Sequence, residues 1–245
     1  MNVSSETKFR LGIVTGLQFE ADIVRRLRGQ TGGRIPGDDS LAVCCLGPGP
    51  ARAGDAARSL IEDGATALLS FGVAGGCDPA LPPGTAIVAT GIRDLGAGNE
   101  ILYTNRDWQR RLKSLLLDNV LIETAQIASA ETPMFRSSDK RTLFGDLGVA
   151  AVDMESAAIA RTAIGAGVPF MALRVIIDPQ DLGLPQAAVS GMRPDGSTAL
   201  AAVTGSVLRR PGDLWAMIRL ARYDRIARKA LTAAAQSSAP LFAAV

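Results

Sequence analysis

Apolar residues along the chain follow two rhythms. Short runs are apolar at nearly every position: RLGIVT (Arg10–Thr15), LAVCCL (Leu41–Leu46), TALLSFGV (Thr66–Val73), TAIVAT (Thr85–Thr90), AQIAS (Ala125–Ser129) and PFMALRVII (Pro169–Ile177). Continuous runs of this length read as strands covered on both faces. Between them the interval lengthens to three and four. Phe19, Ile23 and Leu27 form one such series, Ala53, Ala56, Ala57, Leu60 and Ile61 behind Pro50 a second, and Leu112, Leu115 and Leu116 a third. Those intervals are helical, and proline suits a first helical turn. The alternation predicts an α/β fold, a three-layer αβα sandwich around a mixed, mostly parallel sheet. Two stretches break the pattern: Gly29–Asp39 reads as a loop or hairpin rim, and the Pro- and Gly-rich Asp178–Ser197 as a long loop.

The tail differs in character. From Leu208 to Leu231 it carries Arg209, Arg210, Arg219, Arg222, Arg225, Arg228 and Lys229 against Asp213 and Asp224. Met217, Leu220, Ala227 and Leu231 share one side of a helical wheel. This predicts a basic amphipathic helical extension at about 206–235, within one domain spanning 1–245. Its bland reading is a solvated face. Its functional reading is peripheral contact with an anionic membrane, Trp215 lying at the interface.

Composition then narrows the chemistry. The 245 residues are 47% hydrophobic and 20% charged, ample for a sizeable core, and the formal net charge of +2 argues against wholesale nucleic-acid binding. A polar start, MNVSSETKFR, and no run of about 20 apolar residues lead us to expect a cytoplasmic protein. Cys44, Cys45 and Cys77 form no disulfide framework or zinc spacing and read as three buried thiols. There is no histidine. That excludes Ser-His-Asp and Cys-His catalysis and any His-ligated metal, so acid–base work near neutrality falls to carboxylates, lysine, tyrosine or cysteine. No metal or organic cofactor is expected.

Attention therefore turns to acids in apolar settings. AAVDMESAAIA (Ala150–Ala160) is small and apolar except for Asp153 and Glu155, and an ionised carboxylate there is costly unless paired or employed. Three strand ends are also unusual. Arg10–Thr15 runs through Gly16 to Glu20, Thr66–Val73 enters the glycine-rich FGVAGG (Phe71–Gly76), and Pro169–Ile177 ends at Asp178 before Pro179. Ligands of open α/β sheets bind beyond strand ends, which would gather Glu20, the 71–76 turn and Asp178, with Asp153 and Glu155 joining if Ala150–Val152 is a further strand. Each acid also has a plainer reading, as helix cap, first-turn acid or turn residue. GPGPARAG (Gly47–Gly54) only superficially resembles a dinucleotide fingerprint, because its third glycine is misplaced.

Together, GIVTGLQFE, FGVAGG, VDMESAAIA and RVIID resemble, in order, the motifs of the nucleoside phosphorylase/nucleosidase superfamily, over roughly residues 10–180. GMRPDGSTAL and LRRPGDLWAMIRLARYDRIAR are similar to the C-terminal part of the hopanoid-associated phosphorylase/nucleosidase subgroup. The resemblance implies cleavage of the N-glycosidic bond of an adenine nucleoside, an adenosylhopane before methylthioadenosine or S-adenosylhomocysteine. It assigns Glu20 to water activation, Asp178 to protonation of purine N7 and Glu155 to the ribose hydroxyls, with Met154 against the sugar. Gly72, Val73 and Ala74 of the turn, Met134 or Phe135 beside the purine, and Arg174 complete the implied substrate site. It also implies a homo-oligomer.

Departures bear on the nucleophile. Val73 stands where many members carry serine, Gly16–Glu20 holds no arginine, and Ile177 replaces a serine. Arg52, Arg93, Arg136 and Arg174 are the candidate phosphate ligands, and Arg174 equally suits a structural partner for Glu20 or Glu155. A carboxylate at Glu20 repels phosphate but suits water, so hydrolysis is favoured, with inorganic phosphate as co-substrate of the rival phosphorolysis. A non-catalytic nucleoside-binding module is the third reading.

Overall fold

The computed structural model describes residues 9–30, 41–183 and 213–243, with the side chains of 28–30, 213–217 and 242–243 set aside. Strands are β1 (Leu11–Val14), β2 (Leu41–Cys44), β3 (Ala67–Gly76), β4 (Ala86–Asp94), β5 (Glu100–Tyr103), β6 (Ile122–Ser129), β7 (Ala151–Asp153) and β8 (Phe170–Asp178). Helices are α1 (Gln18–Gln30), α2 (Pro50–Glu62), α3 (Arg106–Leu116), α4 (Ser137–Leu147), α5 (Ser156–Gly165) and α6 (Asp213–Ala243). The expectations for 31–39, for 184–197 and for the Trp215 side chain fall outside the described residues.

The sheet is mixed and mostly parallel. Its order is β2-β1-β3-β7-β6-β4-β5, and β8 pairs with both β3 and β4. Consequently β3, β7, β6, β4 and β8 close on themselves as a ring, a feature that hydrophobic patterning does not disclose. Pairing is parallel for β1 with β2 and β3, β3 with β8, and β6 with β4 and β7; it is antiparallel for β3–β7, β4–β5 and β4–β8.

Alternate residues of each strand feed two cores, which is why the runs are apolar throughout. In β8, Phe170, Ala172 and Ile176 join α2 and α5 on one side, while Met171, Leu173 and Val175 join α1, α3 and α6 on the other. The tail helix is thus a core element along much of its length. Ala227, Leu231, Ala234, Ala235 and Leu241 are buried, and fully burying one leucine is worth roughly 1.5–3 kcal/mol. Its basic residues face outward: Arg222, Arg225 and Lys229 are exposed. Arg228 is half-buried, pairs with Asp224 at 2.7 Å and stacks 3.6 Å over the Phe19 ring. Among the described residues no helix is long and apolar enough to cross a membrane. Of the three cysteines expected to be buried, Cys77 is buried and Cys44 and Cys45 are half-buried, because the end of β2 lies at the sheet's edge.

Candidate active site

A cleft of about 430 Å³ opens where β1, β3, β7 and β8 end. It is lined by Glu20, Asp153, Glu155 and Asp178, by Leu17, Val73, Ala74, Met134, Met154 and Ile177, and at its mouth by exposed Arg52. The fold therefore collects in one place acids separated by up to 158 positions of chain.

Glu20 enters from the first turn of α1. Its Oε2 accepts from the backbone N–H groups of Gly16 (3.0 Å) and Leu17 (2.9 Å), and its Oε1 from that of Val73 (2.8 Å). The carboxyl group clasps the β1–α1 turn to the end of β3. Burial outweighs the nearby Arg174 guanidinium and these N–H donors, and pushes the Glu20 pKa up to about 7. Gly72 explains how the group fits. A methyl group at that position would lie 2.6 Å from the Glu20 carboxyl carbon. Gly72 does not line the cleft; it leaves room for Glu20, a correction to its expected place in the substrate site.

Glu155 follows β7, which runs back along β3 with Gly75 opposite Val152 and Gly76 opposite Ala151. Its Oε1 accepts from Gly49 N–H at 3.0 Å. Gly49 has φ 103°, a left-handed conformation that glycine adopts without strain and that lets its N–H reach the acid. Burial raises the Glu155 pKa, against the pull of Arg174. Asp153 has a different task. Its Oδ1 accepts from the backbone N–H groups of Glu155 (3.3 Å) and Ser156 (3.2 Å) at the start of α5, and its Oδ2 takes the Ser156 hydroxyl and Arg174 Nε, the latter at 2.8 Å.

Arg174 lies beneath this group rather than in the cleft, 1% exposed. Nη2 bonds Ser70 Oγ at 2.6 Å and stands 3.5 Å from Glu155 Oε2; Nη1 reaches Val73 O at 3.3 Å. Each of its three nitrogens bonds protein and none lines the cleft, so the structure makes Arg174 the partner of the acids in place of the expected substrate ligand. Of the four arginines considered for phosphate, only Arg52 lines the cleft, and it bonds Pro48 O at 3.3 Å.

Asp178 ends β8 at the other side of the cleft. Burial pushes its pKa up to about 6, against the opposing effect of Lys140. Lys140, which the sequence reading did not single out, is the buried residue of α4. Its Nζ donates to Asp178 Oδ2, to Pro179 O and to Leu182 O, the last two at 3.0 Å. Nothing in SSDKRTLFGDL marks this lysine out, since its partners lie 38 to 42 positions downstream. Met134 and Met154 line the cleft, together with Pro133; Phe135 is half-buried outside the lining. Among the described residues no cluster of Cys, Asp and Glu is disposed to hold a metal ion.

Comparison with known proteins agrees with this architecture. The profile of the Phosphorylase superfamily matches residues 10–209. The chain therefore belongs to the phosphorylase superfamily and is an enzyme of that class. Among solved structures it is similar to the 5′-methylthioadenosine/S-adenosylhomocysteine nucleosidase of Neisseria meningitidis in complex with methylthio-immucillin-A. That match has 18% identity and a TM-score of 0.68, covering 94% of this chain and 96% of that one. It is also similar to the futalosine hydrolase of Helicobacter pylori, at 21% identity and a TM-score of 0.63 over 86% and 97% of the two chains. The Helicobacter pylori 5′-methylthioadenosine/S-adenosyl homocysteine nucleosidase follows at 21% identity and 0.62, over 83% and 97%. At these identities the likeness is one of fold. No curated protein matches significantly.

Proposed function

We propose that the protein hydrolyses the N-glycosidic bond of an adenine nucleoside. One observation carries the choice of water over phosphate: the backbone N–H groups at the ends of β1 and β3, the natural seat for an anion, are taken up by the carboxyl group of Glu20. A group poised near neutrality there suits general-base work. In the reaction the C1′–N9 bond breaks, and Asp178 gives its proton to N7 of the departing base. Glu20 takes a proton from the water that attacks C1′, and Glu155 accepts hydrogen bonds from the ribose hydroxyls. Negative charge beside the sugar favours the oxocarbenium-like transition state. Met154 packs against the sugar and Met134 against the purine.

Within this class we place an adenosylhopane first, on the resemblance of the C-terminal segments, and methylthioadenosine next. The test is adenine release from adenosine, methylthioadenosine and adenosylhopane in phosphate-free buffer and with added phosphate. Equal release in both, with free sugar as product, is expected; release that requires phosphate and yields a sugar 1-phosphate overturns hydrolysis. A substrate bearing an apolar tail also calls for a surface that holds the enzyme at a membrane. The outward face of α6 supplies Arg222, Arg225 and Lys229 beside Ile218 and Ile226, which are 51% and 39% exposed. Replacing the three cations by glutamine should abolish sedimentation with anionic vesicles; unchanged sedimentation removes the membrane contact.

A further inference from the structure

Lys140 is an odd residue for its position. Helix α4 turns mostly polar residues to solvent, yet the side chain it buries is a lysine, 1% exposed. An ammonium group has three N–H donors. Around this one stand four oxygens of one short segment: Asp178 Oδ2, Asp178 O at 3.4 Å, Pro179 O at 3.0 Å and Leu182 O at 3.0 Å. Those donors are saturated by protein, so the group has none left to offer a ligand. Everything it does must pass through Asp178 and the turn that follows.

The placement makes that influence specific. Thr132, Pro133 and Met134, which precede α4, form one wall of the cleft, and Asp178 belongs to another. Lys140 is the tie between them. We propose that Lys140 is a positioning residue for the base end of the cleft, fixing the Asp178 carboxyl group against the Thr132–Met134 wall and setting how readily it holds a proton. The proposal rests on the reading of Asp178 as proton donor.

The charged and titratable groups around Asp178 are Lys140 from α4, Cys77 just past β3, Glu20 from α1, Asp153 and Glu155 from the β7–α5 turn, Arg174 earlier on β8, and Arg52 at the mouth. Of these, Lys140 is the one that opposes the rise caused by burial. A donor works only while protonated and a base only while deprotonated. With values of about 6 for Asp178 and about 7 for Glu20, the rate should follow a bell centred midway, at about pH 6.5. Removing the ammonium raises the Asp178 value and moves that centre upward.

The experiment is the pH profile of kcat/KM for adenine release from methylthioadenosine by wild type, Lys140→Met, Lys140→Arg, Asp178→Asn and the Lys140→Met/Asp178→Asn pair, each checked for folding by circular dichroism. Lys140→Met should lower the maximum by about 10- to 100-fold through misplacement of the acid. It should also shift the centre up by about 0.5–1.5 pH, half of the 1–3 that a close opposite charge is worth. Lys140→Arg should keep the wild-type centre with a lowered maximum. In the Asp178→Asn background, Lys140→Met should add less than about twofold, since coupled sites are not additive. An unmoved centre in Lys140→Met, or an undiminished further loss in the double variant, overturns the proposal. Should Lys140→Met fail to fold, the Lys140→Arg centre and the double variant decide. Full activity of Asp178→Asn would instead strike the reading of Asp178 itself.

Discussion

The two ends of the cleft are built from the same parts in different proportion. At the end where we place the sugar, three carboxyl groups, Glu20, Asp153 and Glu155, share one buried guanidinium, Arg174. At the end where we place the base, a single carboxyl group, Asp178, is matched by a single buried ammonium, Lys140. Acid outnumbers base at one end and balances it at the other. The proposed cleavage of a glycosidic bond asks for that asymmetry, because positive charge develops on the sugar and negative charge on the leaving base. The cations also differ in kind. A planar fork can bind two carboxyl groups and two hydroxyls at fixed angles, whereas a compact ammonium accepts the irregular cup of carbonyls at a turn.

Breaking the sugar end should have the larger effect. Arg174→Met leaves buried acids without their shared partner, and we expect a loss of about 3–5 kcal/mol of stability by denaturant unfolding at pH 7. A loss below 1 kcal/mol would mean that the acids do not depend on it. Because Glu20 is neutralised by protonation, its share of the penalty should shrink as pH falls through its raised value of about 7. Lys140→Met should be milder for stability, since one protonation of Asp178 relieves it. A finer probe leaves every charge in place. Gly72→Ala puts a methyl group into the space of the Glu20 carboxyl group, and overpacking of this kind costs about 1–3 kcal/mol. We expect kcat to fall by about 10-fold while KM changes less than twofold. An unchanged kcat would show that the position of Glu20 does not limit the reaction.

Legibility in the sequence followed burial. Strands covered on both faces announce themselves as apolar runs, and all six expected runs hold strands. β5, at the sheet's edge and partly exposed, is only four residues long, too short for its apolar Ile101–Tyr103 to register as a run. α4 was invisible for a related reason: its periodicity is weak because what it buries is charged. Glu20, Glu155 and Asp178 stood out as acids near strand ends, where chemistry collects in α/β folds. The cations that hold them were harder to read. Arg174 sits inside an apolar run and is open to two roles, which only its burial and its bonds to the acids and hydroxyls beneath the cleft separate. Lys140 and the spatial use of Gly72 depend on contacts tens of residues away, and no local pattern encodes them.

The clasp made by Glu20 also bears on how such an enzyme could change its co-reactant during evolution. Shortening that one side chain to a neutral residue would free three converging amide donors in a single mutational step, leaving a cradle of the right polarity for an incoming oxyanion. Passage between water-using and phosphate-using descendants of this architecture would then turn less on building a new site than on vacating a seat already occupied.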